Sequence, residues 1–246
     1  MQNEKPVDGY NVIHLGSEYG GKFLVHDAYL YGSTIISAGL GEDASFDIEF
    51  ASKYNAKVVC VDPTPRAVDH FNEIQLAKGS IKKRYYSQSG KQPIDAYDLS
   101  EITDNLVLIP KALWNKICVL NFYAPIDPNH VSHSISNYQN NYSPQTDSIE
   151  VNTITMRVLI SELGFNIDNI PLLKLDIEGA EIEVLEDCLS NGIYPRQILV
   201  EFDEIDLPKK LGHKRVSKID SLLKSVGYIM VKSDGQADFL YYRPKD

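Results

Sequence analysis

The sequence is short of cysteine, of tryptophan and of positive charge. The three cysteines, Cys60, Cys118 and Cys188, are far apart and in no metal-like spacing. That excludes a disulfide framework and a thiolate zinc centre, and it fits structural thiols in a reducing compartment. Basic residues number 24 against 34 acidic ones, a net charge of −10. A surplus of that sign argues against non-specific binding to nucleic acid or anionic membranes. The basic clusters KGSIKKR (Lys78–Arg84) and PKKLGHKR (Pro208–Arg215) read as solvated loops or helix ends. No apolar run approaches the ~20 residues that cross a bilayer. The opening MQNEKPVDGY also lacks the charged-then-apolar layout of a secretory signal, so a cytoplasmic location is expected.

Apolar content is ample, at 43% of 246 residues, enough for the core of one large domain or two small ones. Apolar, β-branched runs of strand length recur at Thr34–Gly39, Lys57–Asp62, Leu106–Leu113, Leu172–Glu178 and Gln197–Asp203. Their continuous apolar character marks strands covered on both faces. Helices are expected at Phe46–Tyr54, Pro65–Lys78, Ile154–Leu163, Glu181–Asn191 and Val216–Val226. Pro65 suits a helix start, and Gly192 a helix stop. The alternation predicts an α/β fold, Rossmann-like, with a mostly parallel sheet. Tyr228–Asp234, a Gly235 turn and Ala237–Arg243 then read as a C-terminal antiparallel hairpin closing the sheet, as in class I methyltransferases. Residues 1–32 are expected as a hairpin extension turning at Tyr19, Gly20 and Gly21, and residues 33–246 as the main domain. Within it, residues 117–148, rich in Ser, Asn, Tyr and His, are expected as an irregular insertion.

The first strand runs into a glycine turn, IISAGLGEDASFD (Ile35–Asp47), and Asp62 ends the second strand. GLGEDA with a following acid is the pattern of a nicotinamide-binding unit, where the helix N-terminus receives a pyrophosphate. Glu42 and Asp43 would put like charge there, at a cost of several kcal/mol in a partly dry cleft. S-adenosyl-L-methionine (SAM) has no phosphate and carries two cationic groups, so the same acids would favour it. Equally, both acids could simply favour a helix N-terminus.

STIISAGLGEDASFDIEFASKYNAKVVCVDPTPRAVDHF resembles the FkbM-type methyltransferases, particularly the branch with a GxGED-SFD turn and a DPTP second-strand end. LLKLDIEGAEIEVLEDCL and ILVEFDE are similar to that family's later blocks, so the resemblance covers roughly Ser33–Glu204. It implies SAM contacts from Ala38, Gly39, Gly41, Glu42, Asp43, Asp62, Pro63, Thr64 and Ala112, with Asp62 on the ribose, and a methyl-transfer site beside the DIEGAE block. It also implies a sugar or secondary-metabolite acceptor. One departure is Thr155, where the family usually has Asp.

Asp176, Glu178, Glu201 and Asp203 would meet at adjacent strand ends, where open α/β sheets bind ligands. Asp176, Glu178 and Glu201 are the catalytic candidates, as a base or as hydrogen-bond partners of substrate hydroxyls. The same acids could hold a divalent metal such as Mg²⁺. Glu181 reads as a helix-capping acid, and Lys174 as a structural partner of Asp176. His14, His26, His130 and His133 read as surface histidines. The loop tyrosines in YYSQSGKQPIDAYD and SNYQNNYSP lean toward a carbohydrate acceptor. The expectation is a SAM-dependent O-methyltransferase with a small-molecule or glycan acceptor and neither nucleic-acid nor membrane partners; a homo-oligomer is compatible with it. The alternatives are an NAD(P)-dependent oxidoreductase and a non-catalytic SAM-binding module.

Overall fold

The computed structural model describes residues 9–125, 133–167, 169–206 and 211–244. The chain opens with a hairpin, β1 (Val12–Leu15) and β2 (Lys22–Val25), paired antiparallel. There follow β3 (Thr34–Ala38), α1 (Ser45–Tyr54), β4 (Lys57–Val61), α2 (Pro65–Leu76) and β5 (Leu106–Ile109). A small side sheet is formed by β6 (Ala112–Leu113), β7 (Val119–Tyr123) and β8 (Ser148–Ile154). The rest is α3 (Met156–Leu163), β9 (Leu172–Leu175), α4 (Glu181–Ser190), β10 (Gln197–Glu201), α5 (Leu211–Ser225), β11 (Ile229–Ser233) and β12 (Asp238–Tyr242).

Seven strands make the main sheet in the order β11-β12-β10-β9-β3-β4-β5. The five from β10 to β5 are parallel, and β12 runs antiparallel to both its neighbours. Alternate residues of each parallel strand enter different cores. Ile35, Val58, Leu172 and Leu199 pack with Phe46 and Phe50 of α1 and Phe71 of α2. Ile36, Val59, Leu173 and Val200 pack with Leu159 of α3, Leu185 of α4 and Ile219 of α5. A strand with apolar side chains on both faces reads as the continuous run seen in the sequence. The N-terminal hairpin joins the first core through Leu15, Leu24 and Val25. Gln197 fastens it further: its amide donates to the Val25 carbonyl and accepts from the Val25 N–H, both at 2.8 Å. Among the described residues, no helix is long and apolar enough to cross a membrane.

Several expected boundaries need correction. The strand expected over Leu106–Leu113 is two strands, because Pro110 has no N–H for a sheet ladder. The chain turns there, with the Lys111 N–H on the Ile109 carbonyl (2.8 Å), and resumes as β6 beside β8. The segment expected to be irregular contains β7, paired along its length with β8 from Val119↔Asn152 to Tyr123↔Ser148. The helix expected from Ile154 starts at Met156, because the Thr155 hydroxyl caps it by accepting from the Val158 N–H (3.3 Å). β9 ends at Leu175 and β10 at Glu201, both short of the expected runs, and α5 begins at Leu211 rather than Val216.

The parallel strands converge on Gly39. It has φ +86°, and a Cβ built there would lie 1.7 Å from the Asp176 carbonyl oxygen. Gly39→Ala should therefore lower stability by about 3 kcal/mol or more, read as a drop in the urea midpoint. An unchanged midpoint would mean that the ends of β3 and β9 do not meet here.

Candidate active site

A cavity of about 280 Å³ opens at the carboxyl ends of β3, β4, β9 and β10, close to the lower end of the usual size of ligand pockets, ~300 Å³. The glycine-turn residues Gly39, Gly41, Glu42 and Asp43 line it, with Asp62, Pro63, Thr64 and Ala112. Asp176, Glu178 and Glu201 line it as well. Ala38 does not. It is fully buried, with its carbonyl taken by the Asp176 N–H at 3.1 Å, and stands behind the cavity wall.

Asp62 shapes the turn from within. Its Oδ2 accepts from the Leu40 and Gly41 N–H groups, each at 3.0 Å. Its Oδ1 accepts from the Thr64 N–H (2.9 Å) and hydroxyl (2.7 Å). A carboxylate offers about four acceptor sites, so a ribose hydroxyl would have to share these. The two acids after the turn play different parts. Glu42 is held by Arg66 (2.5 Å) and Lys91 (2.8 Å). Burial opposes its charge, but Lys91 and Arg66 prevail and keep the carboxyl below its usual range. Glu42 is therefore neutralised within the chain. The partners of Asp43, among the described residues, are neutral donors: the Ser17 hydroxyl (2.6 Å), the Gln92 amide (3.0 Å) and the Ser45 N–H (3.0 Å). The charge argument made for both acids thus rests on Asp43.

The other side of the cavity is organised by two buried lysines. Lys174, on β9, donates to the Gly39 carbonyl at 2.5 Å and stands 3.8 Å from Asp176, the pairing expected from the sequence. Lys22 carried no sequence signal. It reaches from β2 to Asp176 (3.4 Å), Asp238 (2.8 Å) and Glu201. Burial alone would lower its pKa, but Asp176, Glu201 and Asp238 raise it well above the ordinary lysine value. The carboxylates are sorted in turn. Burial opposes charge on Asp176, yet Lys22 and Lys174 outweigh it and hold that carboxyl below its normal range. The Asp176 charge, aided by burial, pushes Glu201 above its normal range against the pull of Lys22.

Beyond β9 the strand alternation no longer decides which way side chains face, because Glu178 has φ +59° in a tight turn. Glu181 holds that turn by accepting from the Ile177 N–H (2.8 Å) and the Gly179 N–H (3.1 Å), so it braces the turn ahead of α4 rather than capping helix N–H groups as expected. The Ser134 hydroxyl donates to the Glu178 carbonyl (2.8 Å), tying the segment after β7 to the site. Asp176, Glu178 and Asp203 bring ligand oxygens within 4.8 Å of one another. In that grouping Asp203 takes the place expected for Glu201, which Lys22 draws away.

The chain matches the family described as Methyltransferase FkbM domain over residues 34–230. It belongs to that family. Comparison with curated proteins and with solved structures gives no match. Family membership supports a methyltransferase. Thr155, the departure from the FkbM pattern, caps α3, a task that Asp performs equally well. Of the four histidines weighed from the sequence, His133 lines the cavity. His14 packs edge-on against Phe23, and His26 bonds the Tyr54 hydroxyl at 2.8 Å. His130 lies outside the described residues.

Asp47, in the SFD part of the turn motif, lies fully buried on α1. Burial pushes its pKa up to about 6, against Lys174. An unfolded Asp ionises near pH ~3.9, so the folded protein holds this proton more tightly. The stability Asp47 contributes is complete below pH ~4 and is lost as pH rises to about 6. Asp47→Asn should escape that loss and gain about 2–3 kcal/mol on the wild type between pH 4 and pH 7, measured by urea unfolding. A constant difference across that range would place the Asp47 carboxylate in contact with water.

Proposed function

We propose that the protein is a SAM-dependent methyltransferase acting on a hydroxyl of a sugar or secondary-metabolite acceptor. The observation that carries the choice of donor is Asp43. Its carboxylate accepts from the Ser45 N–H at the start of α1, where a nicotinamide cofactor would place its pyrophosphate. With no cationic partner among the described residues, Asp43 suits the cationic end of SAM instead. The glycine turn fits too, since Gly39 and Gly41, at φ +86° and +55°, leave bare backbone against the ligand. The sheet order, with antiparallel β12 between β10 and β11, supports the class I reading.

SAM supplies an electrophilic methyl group on its sulfonium. The chain's task is to hold donor and acceptor in line and to take the acceptor's proton. Gly39, Gly41, Asp43, Pro63 and Thr64 line the donor side. On the acceptor side Asp176 stays ionised under two lysines and accepts hydrogen bonds from hydroxyls. Glu201, whose affinity for a proton is raised, is the better proton acceptor and is assigned as the base. Glu178 borders the same space.

Calorimetric titration with SAM, its demethylated product, NAD⁺ and NADP⁺ tests the donor. Binding of the SAM pair near ~10 μM or tighter, without a nicotinamide signal, is expected. Nicotinamide binding alone would overturn the reading. With an acceptor drawn from a screen of sugars, with and without Mg²⁺, Glu201→Gln should cut kcat about 10²-fold or more and leave the SAM affinity unchanged. Full activity in that variant would remove Glu201 as the base.

A further inference from the structure

The N-terminal hairpin precedes the matched segment, which begins at residue 34, yet its turn enters the cavity. Tyr19 and Gly20 both line it. We propose that the turn of residues 16–21 is a wall of the methyl-donor pocket, with Tyr19 and Gly20 against the donor and Ser17 as the positioning residue for Asp43. The proposal rests on the methyl-donor reading above.

The turn is built closely onto the glycine-turn side of the cavity. Ser17 is buried, its N–H donates to the Ser45 hydroxyl (2.7 Å), and its own hydroxyl donates to Asp43 (2.6 Å). The same hydroxyl accepts from the Gly20 N–H at 2.9 Å. A Cβ on Gly20 would lie 2.8 Å from the Asp43 carboxyl carbon, so only glycine lets the turn rest on that acid. The Tyr19 ring lies against Gly90, where a Cβ would come within 2.7 Å of it. The Tyr19 phenol is pushed above its usual pKa by burial and then by Glu178, Asp176, Glu201 and Asp43, which places it in the field of the cavity's carboxylates.

The turn is also fastened at its far end. Lys22 follows it directly and is locked to Asp176, Glu201 and Asp238. Lifting the turn would strand a buried ammonium and three carboxylates, so it serves as a preformed wall. An aromatic ring lining the same cavity as a carboxylate with no cationic partner among the described residues is chemistry that favours a cationic ligand end.

Amide hydrogen exchange of the wild-type protein, with and without saturating S-adenosylhomocysteine, reads this wall directly. Exchange across residues 16–22 should slow about tenfold or more on binding. Gly20→Val, whose side chain would meet Asp43, should raise the Kd for S-adenosylhomocysteine about tenfold or more, as should Ser17→Ala. Both variants should still unfold in one cooperative transition and keep native-like exchange in the parallel strands, which separates loss of positioning from loss of fold. Binding of S-adenosylhomocysteine with exchange unchanged at residues 16–22 and a wild-type Kd in both variants would overturn this proposal alone. No binding by the wild type would overturn the methyl-donor reading beneath it.

Discussion

A lysine buried at the centre of a parallel sheet is the constraint on which the rest of the site depends. Lys174 stands on β9 with little access to water, and an ammonium there must find partners or lose its proton. It finds the Gly39 carbonyl on one side and Asp176 on the other, with Asp47 in its electrostatic reach. One side chain thus joins the glycine turn after β3 to the DIEGAE turn after β9. The backbones themselves touch at the same place, where Gly39 leaves no room for a Cβ beside Asp176. The two turns therefore cannot move independently.

Around that junction the charges fall into separate groups. Glu42 is neutralised by Arg66 and Lys91, and Asp62 is consumed by the turn it shapes. Asp176 is kept ionised by two lysines while Glu201 is pushed toward its protonated form. Two carboxylates that share one ammonium are thus shifted in opposite directions by their neighbours. An acidic surplus that would be costly in a dry cleft is thereby distributed, and Asp43 lines the cavity with neutral donors as its partners among the described residues.

The sequence showed the main sheet because each parallel strand is covered on both faces, and continuous runs such as KVVCV have few other readings. It showed the Lys174 and Asp176 pair because the two stand two residues apart where β9 ends. It did not show β7, whose VLNFY carries an Asn and lies beside long polar loops. It extended the third strand through Pro110, where the ladder cannot continue. Lys22 was invisible for a different reason. Its partners Glu201 and Asp238 are 179 and 216 residues away, and no local pattern encodes contacts of that range. The opposite meanings of Glu42 and Asp43 were hidden likewise, since Lys91, Gln92 and Ser17 lie far along the chain from both acids.

Those long-range contacts mean that the site is closed by the two ends of the chain. Lys22 comes from the second strand and Asp238 from the last, and they meet over Asp176 and Glu201 at the edges of β9 and β10. Pairings of such sequence separation carry a loop-closure cost that local contacts do not. Lys22 helps Lys174 hold Asp176 below its normal range and draws Glu201 down against the Asp176 charge, so the proton affinities of both acids depend on the N-terminal hairpin.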